Sequence, residues 1–360
     1  MKASRIIIVL VVVVVVAVIG VIAYELISGP GSTCTSVWNC AAGYPTQVGG
    51  TYGIAGQQCV GNATYIDCIG GQDANSGPRN DVYTATFSSS DNITSWVASA
   101  NHYPQDINGQ SCADHSGYIY CVGGSYDDAG DDVASSYYAT LSANGAIGQW
   151  MPTTPFPIPV DTQSCVASSS FIYCIGGANE TDGTNADAVP SNSVWFAPIS
   201  SAGIGNWSQT TMYPANDYFP SCFAYGGYVY CIGGADSDGN SLTTSYFSPL
   251  TASGVGPWTQ TVAYPVAATG QACAISAGVI YCVGGETAGG SSPSYTNAAY
   301  YAQASSGGIG AWKQSPSYPN SVGTTCAISS NYLYCVGGFD GSSVGENNVV
   351  NFASLTSLAG

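Results

Sequence analysis

The sequence predicts an all-β chain: a six-bladed β-propeller of four-stranded blades, closed by an N-terminal strand that joins the C-terminal blade, and preceded by one N-terminal transmembrane helix. Three observations predict it. A hairpin ending in Cys-apolar-Gly-Gly occurs six times, a second cysteine stands nine residues upstream in every copy, and a tryptophan followed by an aromatic-proline pair recurs with the same period. A period of 51 to 57 residues built of strand patterns means propeller blades.

The glycine pairs follow Cys68-Ile69, Cys121-Val122, Cys174-Ile175, Cys231-Ile232, Cys282-Val283 and Cys335-Val336. The upstream cysteines are Cys59, Cys112, Cys165, Cys222, Cys273 and Cys326. Segments such as Tyr118-Ile119-Tyr120-Cys121-Val122 are β-branched and aromatic, with turn residues such as Ser116-Gly117 before them, which reads as an antiparallel hairpin. A spacing of nine across an even-numbered loop makes the two cysteines direct cross-strand partners, about 4.5–5.5 Å apart, a separation that suits a disulfide. Free thiols or zinc are the alternatives; the chain has no C-x-x-C and two histidines, which argues against zinc.

Composition narrows the class. The 360 residues hold 46 glycines, 26 tyrosines, 14 cysteines and only 7% charged residues, enough for one six-bladed propeller in an oxidising compartment. Of four cations, Lys2 and Arg5 lie at the extreme N-terminus, leaving Arg79 and Lys313. Phosphate binding needs clustered cations, so nucleic acid is excluded as a partner. Sparse charge with abundant Ser, Thr, Asn and Tyr suits an acidic extracellular habitat, where carboxylates are protonated and ion pairs contribute little.

Along the chain, residues 1–5 form a positive cytoplasmic tip and 6–27 a transmembrane anchor, built on an unbroken apolar run from Ile6 to Ala23. A cleaved signal peptide or a pilin-type leader is the alternative, but the run exceeds the usual signal core of roughly 7–15 residues. Residues 28–32 (Ser-Gly-Pro-Gly-Ser) are a linker and 33–360 the propeller. In the propeller each repeat offers four strands. The cysteine strand a and the Cys-Gly-Gly strand b are followed by an aromatic strand c, such as Trp195-Phe196-Ala197-Pro198-Ile199. Strand d carries Trp38, Trp96, Trp150, Trp207, Trp258 or Trp312. The last repeat stops at Gly360, where its strand d is due, whereas Trp38 has no strands a to c before it. The N-terminal strand therefore completes the C-terminal blade and removes the open edge. Cys34 and Cys40 flank Trp38; a seventh cystine needs the chain to loop between them, because six extended residues span about 20 Å.

The apolar strand ending in Gly-Gly, the aromatic strand and the tryptophan strand together resemble the kelch motif, over nearly everything after residue 33. The resemblance implies that Gly70, Gly71, Tyr138 and Trp150, with their equivalents, are structural. It also implies that the b–c and d–a loops share the face on which such propellers bind partners. Two features depart from the family: the long interval from Tyr137 to Trp150, and the cystines themselves. One fold hosts many functions, so activity has to be read from a site.

Few residues suit catalysis. A copper oxidase resembling galactose oxidase needs more than His102 and His115, placed on a d–a loop and in a hairpin turn; a sialidase needs more arginines than Arg79. The acids gather after the glycine pairs, with Asp127, Asp128, Asp131, Asp182 and Asp340 as ligand-face candidates. Asp236, Asp238 and Asn240 resemble the start of a calcium loop without its distal glutamate, so calcium is the one cofactor candidate. Gln57, Gln110, Gln163 and Gln271, two residues before strand-a cysteines, form a polar ring at the channel mouth that binds a glycan or satisfies loop backbone. Asn62, Asn92, Asn179 and Asn206 begin glycosylation sequons. The expected function is recognition of a surface protein or glycan by a membrane-anchored extracellular propeller. The alternatives are a carbohydrate-active, mutarotase-like enzyme and a structural cell-envelope subunit.

Overall fold

The computed structural model describes residues 34–45, 53–73, 77–126, 131–179, 189–288, 294–320, 322–339 and 346–360. The tip, the anchor and the linker expected over 1–32 lie outside these residues, as do Asp127, Asp128, Asp182 and Asp340. No helix among the described residues is long and apolar enough to cross a membrane.

Six antiparallel sheets follow one another, spanning 58–98, 111–152, 164–209, 221–260, 272–314 and 323–354. We number the blades in that order. In blade 3 strand a is Ser164–Ser168, strand b Phe171–Ile175 and strand c Val194–Ser200. In every blade the paired cysteines are cross-strand partners, from Cys59 opposite Cys68 to Cys326 opposite Cys335, with Cα atoms 4.0–4.1 Å apart. Cys34 and Cys40 form the seventh disulfide. The loop they require is present: the Thr35 N–H donates to Trp38 O, and Thr35 Oγ1 accepts from the Val37 and Trp38 amides.

The ring closes as the repeat count demands. Asn39–Cys40 pairs with the last c strand, Asn39 opposite Phe352 and Cys40 opposite Asn351. Trp38 is fully buried on the face turned toward blade 5, among Tyr281, Val283 and Tyr318.

Two sets of contacts bind each blade to the next, and a third acts at four of the six seams. Each tryptophan meets the aromatic of the preceding Tyr-Pro or Phe-Pro pair edge to face, with centroids 4.9–5.0 Å apart, in an unbroken cycle that includes Phe156–Trp207 and Tyr318–Trp38. The amide of each second glycine donates to the next blade's incoming loop, from Gly71 to Ile107 O through Gly338 to Ile54 O. A side chain there has no room: a Cβ on Gly338 would lie 2.2 Å from Gly323 O, and φ is +118°. Thirdly, buried glutamines reach back. Gln57, Gln110, Gln163 and Gln271 donate through Nε2 to Val336, Ile69, Val122 and Ile232 carbonyls, at 2.7–2.8 Å. Their Nε2 groups bond backbone inside the seams, and the same four residues line the channel mouth.

Other details differ from the strand pattern. Of the six d-strand tryptophans Trp96 lies within a strand and the other five precede one; in or out of the ladder the indole bonds a loop carbonyl, as Trp96 Nε1 does with Ala42 O at 3.1 Å and Trp150 Nε1 with Asn101 O at 3.3 Å. In blades 3, 4 and 5 strand d is two short pieces, such as Gly203–Ile204 and Ser208–Gln209. His115 ends strand a of blade 2, opposite Tyr118, and is not in the turn. The chain ends in a short helix, Leu355–Ala359, capped by the Ser354 side chain and burying Leu355 and Leu358 beside Trp38.

Candidate ligand site at the channel mouth

The a strands surround the axis, and the d–a loops entering them rim one end of the channel. That mouth opens into a cavity of about 470 Å³, lined by all six blades. Its wall is made of the residues just before the strand-a cysteines: Gln58, Ser111, Ser164, Ser221, Ala272 and Thr325. Hydroxyls here tie adjacent blades. Ser111 Oγ accepts from the Cys165 N–H at 2.8 Å, and Ser164 Oγ from the Cys222 N–H at 3.0 Å. A hydroxyl used as an acceptor keeps its own proton to donate, so both serines offer a donor.

The rim has its own backbone ladder. The residue three before each strand-a cysteine takes positive φ at Gly56, Gly109, Thr162, Phe219 and Gly270. Gly109 N–H donates to Gly56 O, Thr162 N–H to Gly109 O and Phe219 N–H to Thr162 O. The run stops at Phe219; no matching bond joins Gly270 to it. Beyond that point the lining includes Glu286, Tyr295 and Phe339 from the b–c side of blades 5 and 6. Tyr295 and Phe339 form a tilted pair 5.6 Å apart, as do Tyr218 and Phe219. Burial pushes the Glu286 carboxyl above the usual range, and burial, with the nearby Glu286 charge adding to it, raises the pKa of Tyr218. Glu286 is the one carboxylate among the described lining residues, and no lysine or arginine accompanies it.

The residues singled out by sequence do not converge here. Asp131 accepts from Tyr126 Oη at 3.3 Å in its own loop. Asp236 spends its Oδ1 on the Asp238 and Asn240 amides, at 3.0 and 2.9 Å, and Asn240 turns its Nδ2 toward the same carboxylate. These bonds hold the Asp236 pKa below normal. No group of three or more His, Cys, Asp or Glu suited to a metal occurs among the described residues. His102 Nδ1 lies 3.6 Å from Asp81, which also pairs with Arg79 at 3.0 Å. Of the sequons, Asn62 and Asn206 are exposed, whereas Asn92 is half-buried and Asn179 donates its Nδ2 to Pro159 O at 2.6 Å.

Phe219, Glu286, Tyr295 and Phe339 escape a reading by motif. For Phe219 the signal is present once the repeats are aligned, since its equivalents are Gly56, Gly109, Thr162, Gly270 and Gly323. The other three stand in loops of unequal length, where the repeat gives no register.

No family model matches the sequence, and no curated protein gives a significant match. Among solved structures the chain resembles that of YjhT, with a TM-score of 0.64 at 14% identity, over 83% of this chain and 94% of that one. Seven disulfides agree with an extracellular or otherwise oxidising environment. Repeat, register and structural likeness together make this chain a six-bladed, disulfide-pinned β-propeller, and at that identity the likeness speaks for the fold alone.

Proposed function

We propose that this chain is an exported recognition module, tethered by its N-terminal apolar segment, that takes an uncharged saccharide at the channel mouth. The observation that carries the reading is the character of the cavity: hydroxyl and amide groups from six blades, aromatic rings on one side and, among the described residues, a single carboxylate and no cation. Without cations an anionic ligand has nothing to repay its desolvation, whereas hydroxyls and rings suit the edges and faces of a sugar. A mutarotase-like enzyme needs an acid and a base converging on one point. Among the described lining residues Glu286 is the one carboxylate.

Two measurements test the proposal. On a glycan array the purified full-length protein binds neutral saccharides and ignores sialylated and sulfated ones; a preference for anionic glycans contradicts it. Membrane fractionation with N-terminal mass analysis finds residues 1–27 retained in the bilayer; a soluble chain starting after Ala23 contradicts the tether.

A further inference from the structure

Resting on the reading above, we propose that Phe219 is the aromatic platform of the saccharide subsite, against which one pyranose face stacks while Ser164, Ser221 and Glu286 of the same cavity meet its hydroxyls.

The first support is internal to the repeat. Phe219 occupies a position that is glycine in four of the six blades. Its φ is +55°, a conformation that is a genuine outlier for a bulky residue, and it precedes Pro220, before which the chain is ordinarily extended. Such strain persists only where something else holds it in place. Thr162 shares the conformation, but it is nearly buried and its hydroxyl bonds Asp161 at 3.1 Å. Phe219 has neither burial nor a side-chain hydrogen bond: in ring contact with Tyr218, it is still 42% exposed at the edge of an open cavity. A large ring in a strained backbone, left in water, serves something other than the fold.

The neighbouring residues point the same way. Pro220 stands where Gln57, Gln110, Gln163 and Gln271 clamp four of the other five seams, so this loop forgoes the amide bond those four make. Phe219 also ends the rim ladder, beside the stretch where Glu286, Tyr295 and Phe339 line the mouth. Apolar C–H faces of a sugar pack on aromatic rings, while its hydroxyls need donors and acceptors close by. The serine hydroxyls and the Glu286 carboxyl supply them.

The test uses the full-length protein, titrated calorimetrically with maltotriose, cellotriose, mannotriose and triacetylchitotriose. At least one binds. F219G, which installs the residue of four sister blades, keeps or raises Tm and loses about tenfold or more in affinity; F219W retains binding. If a trisaccharide binds F219G as tightly as the parent, the platform fails and the mouth reading stands. If F219G loses both binding and Tm, the ring is structural and the proposal falls. If none of the four binds, the saccharide reading fails with it.

Discussion

Trp38 and Tyr318 meet edge to face, 4.9 Å between centroids and 87° between planes, although 280 residues of chain separate them. The same contact recurs at the other five seams, so the closing seam is built like those within the continuous chain. The indole also donates to Pro316 O at 3.1 Å. We therefore expect W38A to cost about 3–5 kcal/mol, the usual loss for a buried large aromatic. W312A, whose indole is more exposed, should cost less. Urea denaturation of both variants checks the order.

Stability should fall as pH rises through neutrality. Asp67 is fully buried; burial raises its pKa to about 7, with Asp114 adding to the rise and a hydrogen bond from Thr84 opposing it. Asp114, which accepts from Tyr65 Oη at 3.1 Å and lies beside His115, is itself raised by burial. Asp217, equally buried, is raised to about 8, with Asp236 contributing and the Ala235 N–H offsetting part of it. An acid whose folded pKa is raised stabilises the fold when protonated. The contribution is complete below about pH 4 and is lost as pH climbs through 7 and 8. Melting temperature measured from pH 3 to pH 9 should peak on the acid side.

Asp217 offers a sharper version. Ile54, Ile107, Val160, Ala268 and Val322 occupy its position in the other blades, each with a carbonyl accepting from a second-glycine amide. D217V should leave stability at pH 4 nearly unchanged and raise it by roughly 2–4 kcal/mol at pH 8. Equal effects at both values count against the buried carboxylate as the cause.

The glutamine clamps should be individually measurable. Q163L leaves Val122 O without the Nε2 donor inside a dry seam, at a cost of about 1–3 kcal/mol in chemical denaturation. At blade 4, where Pro220 replaces the glutamine, P220A removes no such bond and should cost less.

The architecture was largely legible because its determinants are local and repeated. A spacing of nine places Cys112 opposite Cys121 whatever surrounds them, and the tryptophan strand without a–c strands before it, that of Trp38, pairs with the last c strand. The site was less legible. Gln110 sits where a mouth ligand would be expected, yet its amide turns into the seam toward Ile69 O, a direction that depends on the neighbouring blade and not on strand alternation. Charge clusters drew attention to Asp236, whose oxygens are consumed by its own turn. Phe219 carries no motif and becomes conspicuous only against five equivalents. The helix Leu355–Ala359 follows a strand without a break that the repeat could reveal.

The most direct test of the account is a crystal structure of the full-length protein with the neutral saccharide that binds it best. The account predicts sugar density in the channel mouth, one ring against Phe219 and hydroxyls within hydrogen-bond reach of Ser164, Ser221 or Glu286. Density on the outer d strands or on the a–b hairpin face, with the mouth holding only water, would contradict it.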